Sequence, residues 1–145
     1  MAETVLRAEL AAAGLDGAVV VDSAGTGDWH VGDAMDPEAR SALASRGHDG
    51  AAHRARQFEP SWLSRYDLIL AMDTRNLVDL RRMARGSADA DRIRLFGKAG
   101  GLGDTSDIPD PWGGGPDEFG RVLDLLGAAA PVIAARLARL LETAG

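Results

Sequence analysis

Apolar positions along the chain alternate between two spacings, and the switches predict its elements. Residues 2–13 carry Val5, Leu6, Leu10 and Ala13 at three- and four-residue intervals. That spacing predicts an amphipathic helix stopped by Gly14, with no capping residue before it. Residues 18–21 are continuously apolar, the pattern of a strand buried on both faces, and they run into a polar, glycine-rich turn at 22–27. Asp36-Pro37-Glu38 reads as a helix start, with Asp36 as cap and Pro37 in the first turn, and Gly47 as the stop. Pro60 to Leu63 suggests one short helical turn. Residues 68–72 form the clearest strand, after which Asp73 is placed to cap a helix bearing Leu77, Leu80 and Met83.

A third strand is expected at 93–96, then a long loop from 97 to 116 that holds seven glycines and three prolines. A loop of that length in a small domain points to a binding or catalytic role. The remainder is helical, through Phe119, Val122, Leu123 and Leu126 and then Ile133, Leu137, Leu140 and Leu141, with Pro131 expected to kink it or to open a second segment. Helices alternating with strands predict an α/β three-layer sandwich on a small, mostly parallel sheet, and one domain over residues 1–145.

Composition narrows the chemistry. With 145 residues, net charge −6 and no cysteine, the chain offers no disulfide, no cysteine-based zinc site and no thiol nucleophile. The acidic balance argues against nucleic acid as a partner. No apolar run reaches the ~18 residues of a membrane span and no signal peptide is visible, so a cytoplasmic location is expected. His30, His48 and His53 share no metal-ligand spacing, so no metal site is expected. Gly25-x-Gly27 and Gly113-Gly114-Gly115 fit neither of the spacings by which glycine-rich loops bind nucleotides.

Ligands of parallel sheets bind beyond the carboxyl ends of the strands. Those ends carry Ser23, Thr26, Trp29 and His30; then Asp73 and Asn76; then Asp107, Asp110 and Trp112. Capping fully explains Asp73, and turn formation explains Ser23 and Thr26. Asp110 lies between Pro109 and Pro111, so its backbone is restricted on both sides. A carboxyl with a fixed direction suits a general acid; a plain proline-rich turn accounts for the same residues.

Five segments occur in order: Asp22-Ser23-Ala24-Gly25-Thr26, Trp29-His30-Val31-Gly32, His53-Arg54-Ala55-Arg56-Gln57, Tyr66-Asp67-Leu68-Ile69-Leu70-Ala71-Met72-Asp73, and Ile108-Pro109-Asp110-Pro111-Trp112-Gly113-Gly114. Together, over the whole chain, they resemble the low-molecular-weight protein tyrosine phosphatases, especially bacterial ones. The resemblance implies a cysteine thiolate that attacks phosphorus, and an Arg and backbone amides in a Cys-x-x-x-x-x-Arg-Ser loop that hold the phosphoryl oxygens. It implies an aspartate that protonates the leaving phenolate and then activates water. Asp110 matches that acid, and Trp29 and Trp112 match walls around the substrate ring. Ser23, His53, Asp73 and Asn76 match supporting positions. The implied partner is a phosphotyrosine-containing protein or an aryl phosphate, and the implied mechanism uses no cofactor.

Two departures stand beside the resemblance. Many members carry two tyrosines after the Asp-Pro pair, where this chain has Trp112 and Gly113. The family's first strand and phosphate loop precede the segment that Met1-Ala2-Glu3 resembles, so this sequence lacks the central strand, the nucleophile and the phosphate-gripping Arg. The expectation is a phosphatase body without turnover. Three readings accommodate the break: a start that lies upstream, a sheet gap closed by the remaining strands or by self-association, and a short non-catalytic binding or regulatory paralogue. Arsenate reduction on the same scaffold needs several cysteines, and this chain has none.

Overall fold

A computed structural model describes residues 1–27, 30–103 and 106–144. Its helices are α1 (Ala2–Ala12), α2 (Pro37–Ala44), α3 (Thr74–Met83), α4 (Ser87–Asp91), α5 (Phe96–Ala99) and α6 (Pro116–Ala144). Its strands are β1 (Ile69–Ala71) and β2 (Ile93–Leu95), and a 3₁₀ turn spans Pro60–Ser64.

Local chemistry sets most helix ends. Asp36 accepts hydrogen bonds from the Glu38 and Ala39 amides at the start of α2, and Asp73 accepts from the Asn76 amide at the start of α3. Each bond satisfies a donor that the first helical turn leaves without a partner. No side chain caps α1. Gly14 and Gly47 follow α1 and α2 with positive φ (74° and 82°), the left-handed geometry that lets a chain leave a helix.

β1 and β2 pair in parallel, with Ile69 opposite Ile93 and Ala71 opposite Leu95. Alternation along β1 divides the core. Ile69 and Ala71 pack with Leu63, Leu77, Leu80 and Ile93 on the α3 side. Leu70 and Met72 pack on the opposite face, against the larger cluster built from α1, α2, Phe96 and α6. Helices therefore cover both faces of a small parallel sheet, as the sequence predicts. Leu10 of α1 and Leu126 of α6 are each 1% exposed, and burying such a side chain contributes ~1.5–3 kcal/mol.

Two expectations, and one alternative of a third, are corrected. Residues 18–21 form no strand: they are turn and irregular backbone, and Val20 is 82% exposed, so the segment is not buried on both faces. A strand is defined by its ladder, and among the described residues no strand lies beside this segment; the Val21 carbonyl is instead taken by the Arg7 guanidinium. The loop expected from residue 97 begins with α5, whose Phe96 anchors it in the core, so the third predicted strand ends at Leu95. Pro131 opens no second segment, because α6 runs through it. The carbonyl that loses its partner there belongs to Gly127, and both residues are exposed, so water can satisfy it.

Candidate functional site

Two groups of candidate residues emerge on different elements. The first lies at the carboxyl ends of β1 and β2. Past β1, Asp73 is occupied as the α3 cap, accepting from the Asn76 amide at 2.8 Å. Asn76 contributes that amide and sits half-buried. Past β2 and α5, the chain returns to this end: the Ile108 amide donates to the Met72 carbonyl at 2.8 Å, and the Ile108 side chain is buried in the larger core. Asp110 follows two residues later, exposed, with Oδ1 accepting from the Trp112 amide at 3.0 Å. That bond is an Asx-type turn, which orients the carboxyl and leaves Oδ2 open to solvent and to a proton. Trp112 is 71% exposed, a flat apolar surface beside the acid. The other candidate wall, Trp29, lies outside the described residues.

The second group surrounds the N-terminal half of α1. His53 Nδ1 lies 3.4 Å from Glu3 Oε2, and Arg7 reaches the other Glu3 oxygen at 3.4 Å. Ser23 presents its carbonyl to the Arg56 guanidinium at 3.3 Å from both Nε and Nη2, while its hydroxyl has no hydrogen-bond partner among the described residues. Asp22 links three segments: the Tyr66 hydroxyl donates to Oδ2 at 2.8 Å, and Arg7 and Arg56 lie 3.8 and 3.9 Å from its two oxygens. The ring of Trp62 sits 4.8 Å beneath the Arg56 guanidinium carbon, which holds that cation in place. A groove of about 580 Å³ runs through this group, lined by Ser23 and His53 with Arg7, Arg54 and Arg56 among others. Burial lowers the pKa of the Met1 α-amino group below its usual 8.0, against an opposing pull from Glu3.

Asp110 and Trp112 are not among the described residues lining that groove. The structure thus brings Ser23 and His53 together, and separately Asp73, Asn76 and Asp110. Among the described residues no cluster of three His, Asp or Glu side chains gathers for a metal ion, and no helix is long and apolar enough to cross a membrane. Sequence reasoning missed the bracing carried by Asp22, Arg7, Arg56 and Tyr66. Its partners are up to 44 residues apart, and no local spacing announces them.

Comparison with known proteins places this geometry in context. The family model described as "Low molecular weight phosphotyrosine protein phosphatase" matches residues 1–142. A low molecular weight protein-tyrosine-phosphatase of Streptomyces coelicolor is 43% identical over 145 residues, covering 98% of this chain and 87% of that protein. A low molecular weight phosphotyrosine protein phosphatase of Schizosaccharomyces pombe is 38% identical over 83% of this chain and 76% of its own length. Among solved structures, a protein tyrosine phosphatase from Entamoeba histolytica with Hepes in its active site superposes with a TM-score of 0.89 at 28% identity, over 95% of this chain and 87% of that one. YfkJ from Bacillus subtilis superposes with a TM-score of 0.85 at 31% identity, over 95% and 85% of the two chains.

Proposed function

Because the chain belongs to the low molecular weight phosphotyrosine protein phosphatase family, we propose that its 145 residues supply the general acid and the scaffold of a phosphotyrosine-monoester hydrolase site, without the nucleophile. The observation that carries this is the Asp110 carboxyl. One oxygen is held by the Trp112 amide, the other has no hydrogen-bond partner among the described residues, and the residue is exposed on a loop fastened to the end of β1. A carboxyl so oriented protonates a departing phenolate and, in the next step, takes a proton from water. Trp112 offers a face to the leaving ring. The family resemblance assigns supporting roles to Ser23, His53, Asp73 and Asn76 and a ring-wall role to Trp29; of these, Asp73 and Asn76 share the strand end with Asp110, while Ser23 and His53 line the separate groove.

The phosphocysteine route requires a thiolate, and the chain has no cysteine. On para-nitrophenyl phosphate the chain as it stands is expected to give no turnover above buffer. Joined to a segment carrying Cys-x-x-x-x-x-Arg-Ser, it is expected to turn over, and Asp110→Asn should then lower kcat by ~10²–10⁴-fold. Hydrolysis by the unaltered chain overturns the inactivity; full activity in the Asp110→Asn protein overturns the acid.

A second reading, a non-catalytic binding or regulatory protein, rests on the groove beside Ser23, a polar surface lined by Arg7, Arg54 and Arg56 together with the acids Glu3, Asp22 and Asp49. Its partner would be a phosphotyrosine-bearing protein or an aryl phosphate, encountered in the cytoplasm. The edge of β1 away from β2, which no strand occupies among the described residues, would serve self-association. Calorimetric titration with phosphotyrosine separates the readings: heat without turnover supports binding, and none at millimolar ligand ends it.

A further inference from the structure

We propose that Thr74 and Asp107 form a strap that positions the loop bearing Asp110, so that both are positioning residues for the acid. The inference rests on Asp110 being the general acid of the proposed site. Thr74 opens α3, and its hydroxyl donates to the Asp107 carboxylate, with the two oxygens 2.9 and 3.1 Å away. Thr74 is free to do so because its neighbour Asp73 already caps the helix. The Asp107 carboxylate thereby rests at the positive end of a ten-residue helix, where a negative charge is favoured.

The three residues after Asp107 convert this anchor into a direction for the acid. Ile108 is fixed twice over, by its buried side chain and by its amide bond to the Met72 carbonyl. From Ile108 to Asp110 there is only Pro109, whose ring fixes its own φ and restricts the residue before it. Pro111 restricts Asp110 in the same way, and the Trp112 amide closes on Oδ1. Little conformational freedom separates the strap from the carboxyl. A change in how residues 107 and 108 are seated is passed to Asp110 through a short, stiff lever. Without the strap, the fastening of this lever to the end of β1 falls to Ile108, and the Asp107 charge is released to solvent.

The test uses amide hydrogen exchange in the chain as it stands. Thr74→Val removes the hydroxyl and keeps the β-branched volume; Thr74→Ser keeps the hydroxyl. Thr74→Val is expected to speed exchange about tenfold at the Ile108 and Trp112 amides, the change that accompanies loss of a hydrogen bond to a charged group. The Leu77 and Leu80 amides of α3 should keep their rates, and Thr74→Ser should restore both loop amides. Unchanged exchange at Trp112, failure of serine to restore it, or an equal acceleration through α3 overturns the strap. In a form carrying the phosphate loop, a misaimed acid penalises poor leaving groups most in the step that expels them, so Thr74→Val should lower kcat/KM for phenyl phosphate more than for para-nitrophenyl phosphate. Equal losses on the two substrates also overturn it. Asp110→Asn tests the acid by itself. Full activity in that protein, with faster exchange in Thr74→Val, keeps the strap as a loop anchor and removes the acid.

Discussion

Two short apolar segments of similar composition, residues 18–21 and Ile69–Ala71, meet different fates in one molecule. Ile69–Ala71 lies beside Ile93–Leu95 and becomes β1, with α3 on one face and the larger core on the other. Residues 18–21 sit above the same larger core through Val19 and Val21, yet Val20 projects into solvent and no ladder forms. The difference teaches that apolar character brings a segment to a core, while a hydrogen-bonding neighbour makes it a strand. Burial is a property of the side chains; a ladder is a property of two backbones.

Truncating a buried side chain of the paired region should widen the contrast most. Ile93 is fully buried in the paired region, so Ile93→Ala is expected to cost ~2–5 kcal/mol in chemical denaturation. A loss near zero would mean that the paired strands are no better packed than residues 18–21. Gly97→Ala comes next. An added Cβ there would land on the Ser106 carbonyl, and the overpacking is expected to cost ~1–3 kcal/mol. The fall in thermal midpoint should be accompanied by chemical-shift changes at Ile108 if the collision is relieved by moving the loop.

Asp73→Ala removes the cap that starts α3 behind the paired strands. It should destabilise by ~0.5–2 kcal/mol, with the Asn76 amide exchanging faster. The smallest effect belongs to the unpaired segment: Val20→Ala should stay within ~0.5 kcal/mol of the parent. A large loss there would show that Val20 is covered in solution, and would dissolve the comparison.

The legible parts of the fold are those decided within a few residues. Asp36 and Asp73 announce their helices because a carboxylate caps amides two or three positions ahead. The parallel pairing of 69–71 with 93–95 follows from two apolar runs separated by a helix. Residues 18–21 misled because periodicity carries no information about a neighbour. α5 was hidden by Gly97 and by its four-residue length, and it forms because Phe96 is held in the core. Of the candidate site, Asp110 stood out through its flanking prolines. The Thr74 bond to Asp107, 33 residues apart, and the His53 contact with Glu3, 50 apart, left no trace in spacing.

α1 and α6 lie at opposite ends of the sequence and pack against each other. During synthesis α1 leaves the ribosome roughly 100 residues before α6 begins, which is about 5–20 s at ~5–20 residues per second. For that interval Val5, Leu6 and Leu10 have no α6 to cover them. The helix is also too short to be stable by itself in water. The nascent chain therefore passes through a stage in which the apolar stripe of α1 is available to chaperones. The packing of α1 against α6 is made only after α6 has followed, and a pause between the two would lengthen the vulnerable period.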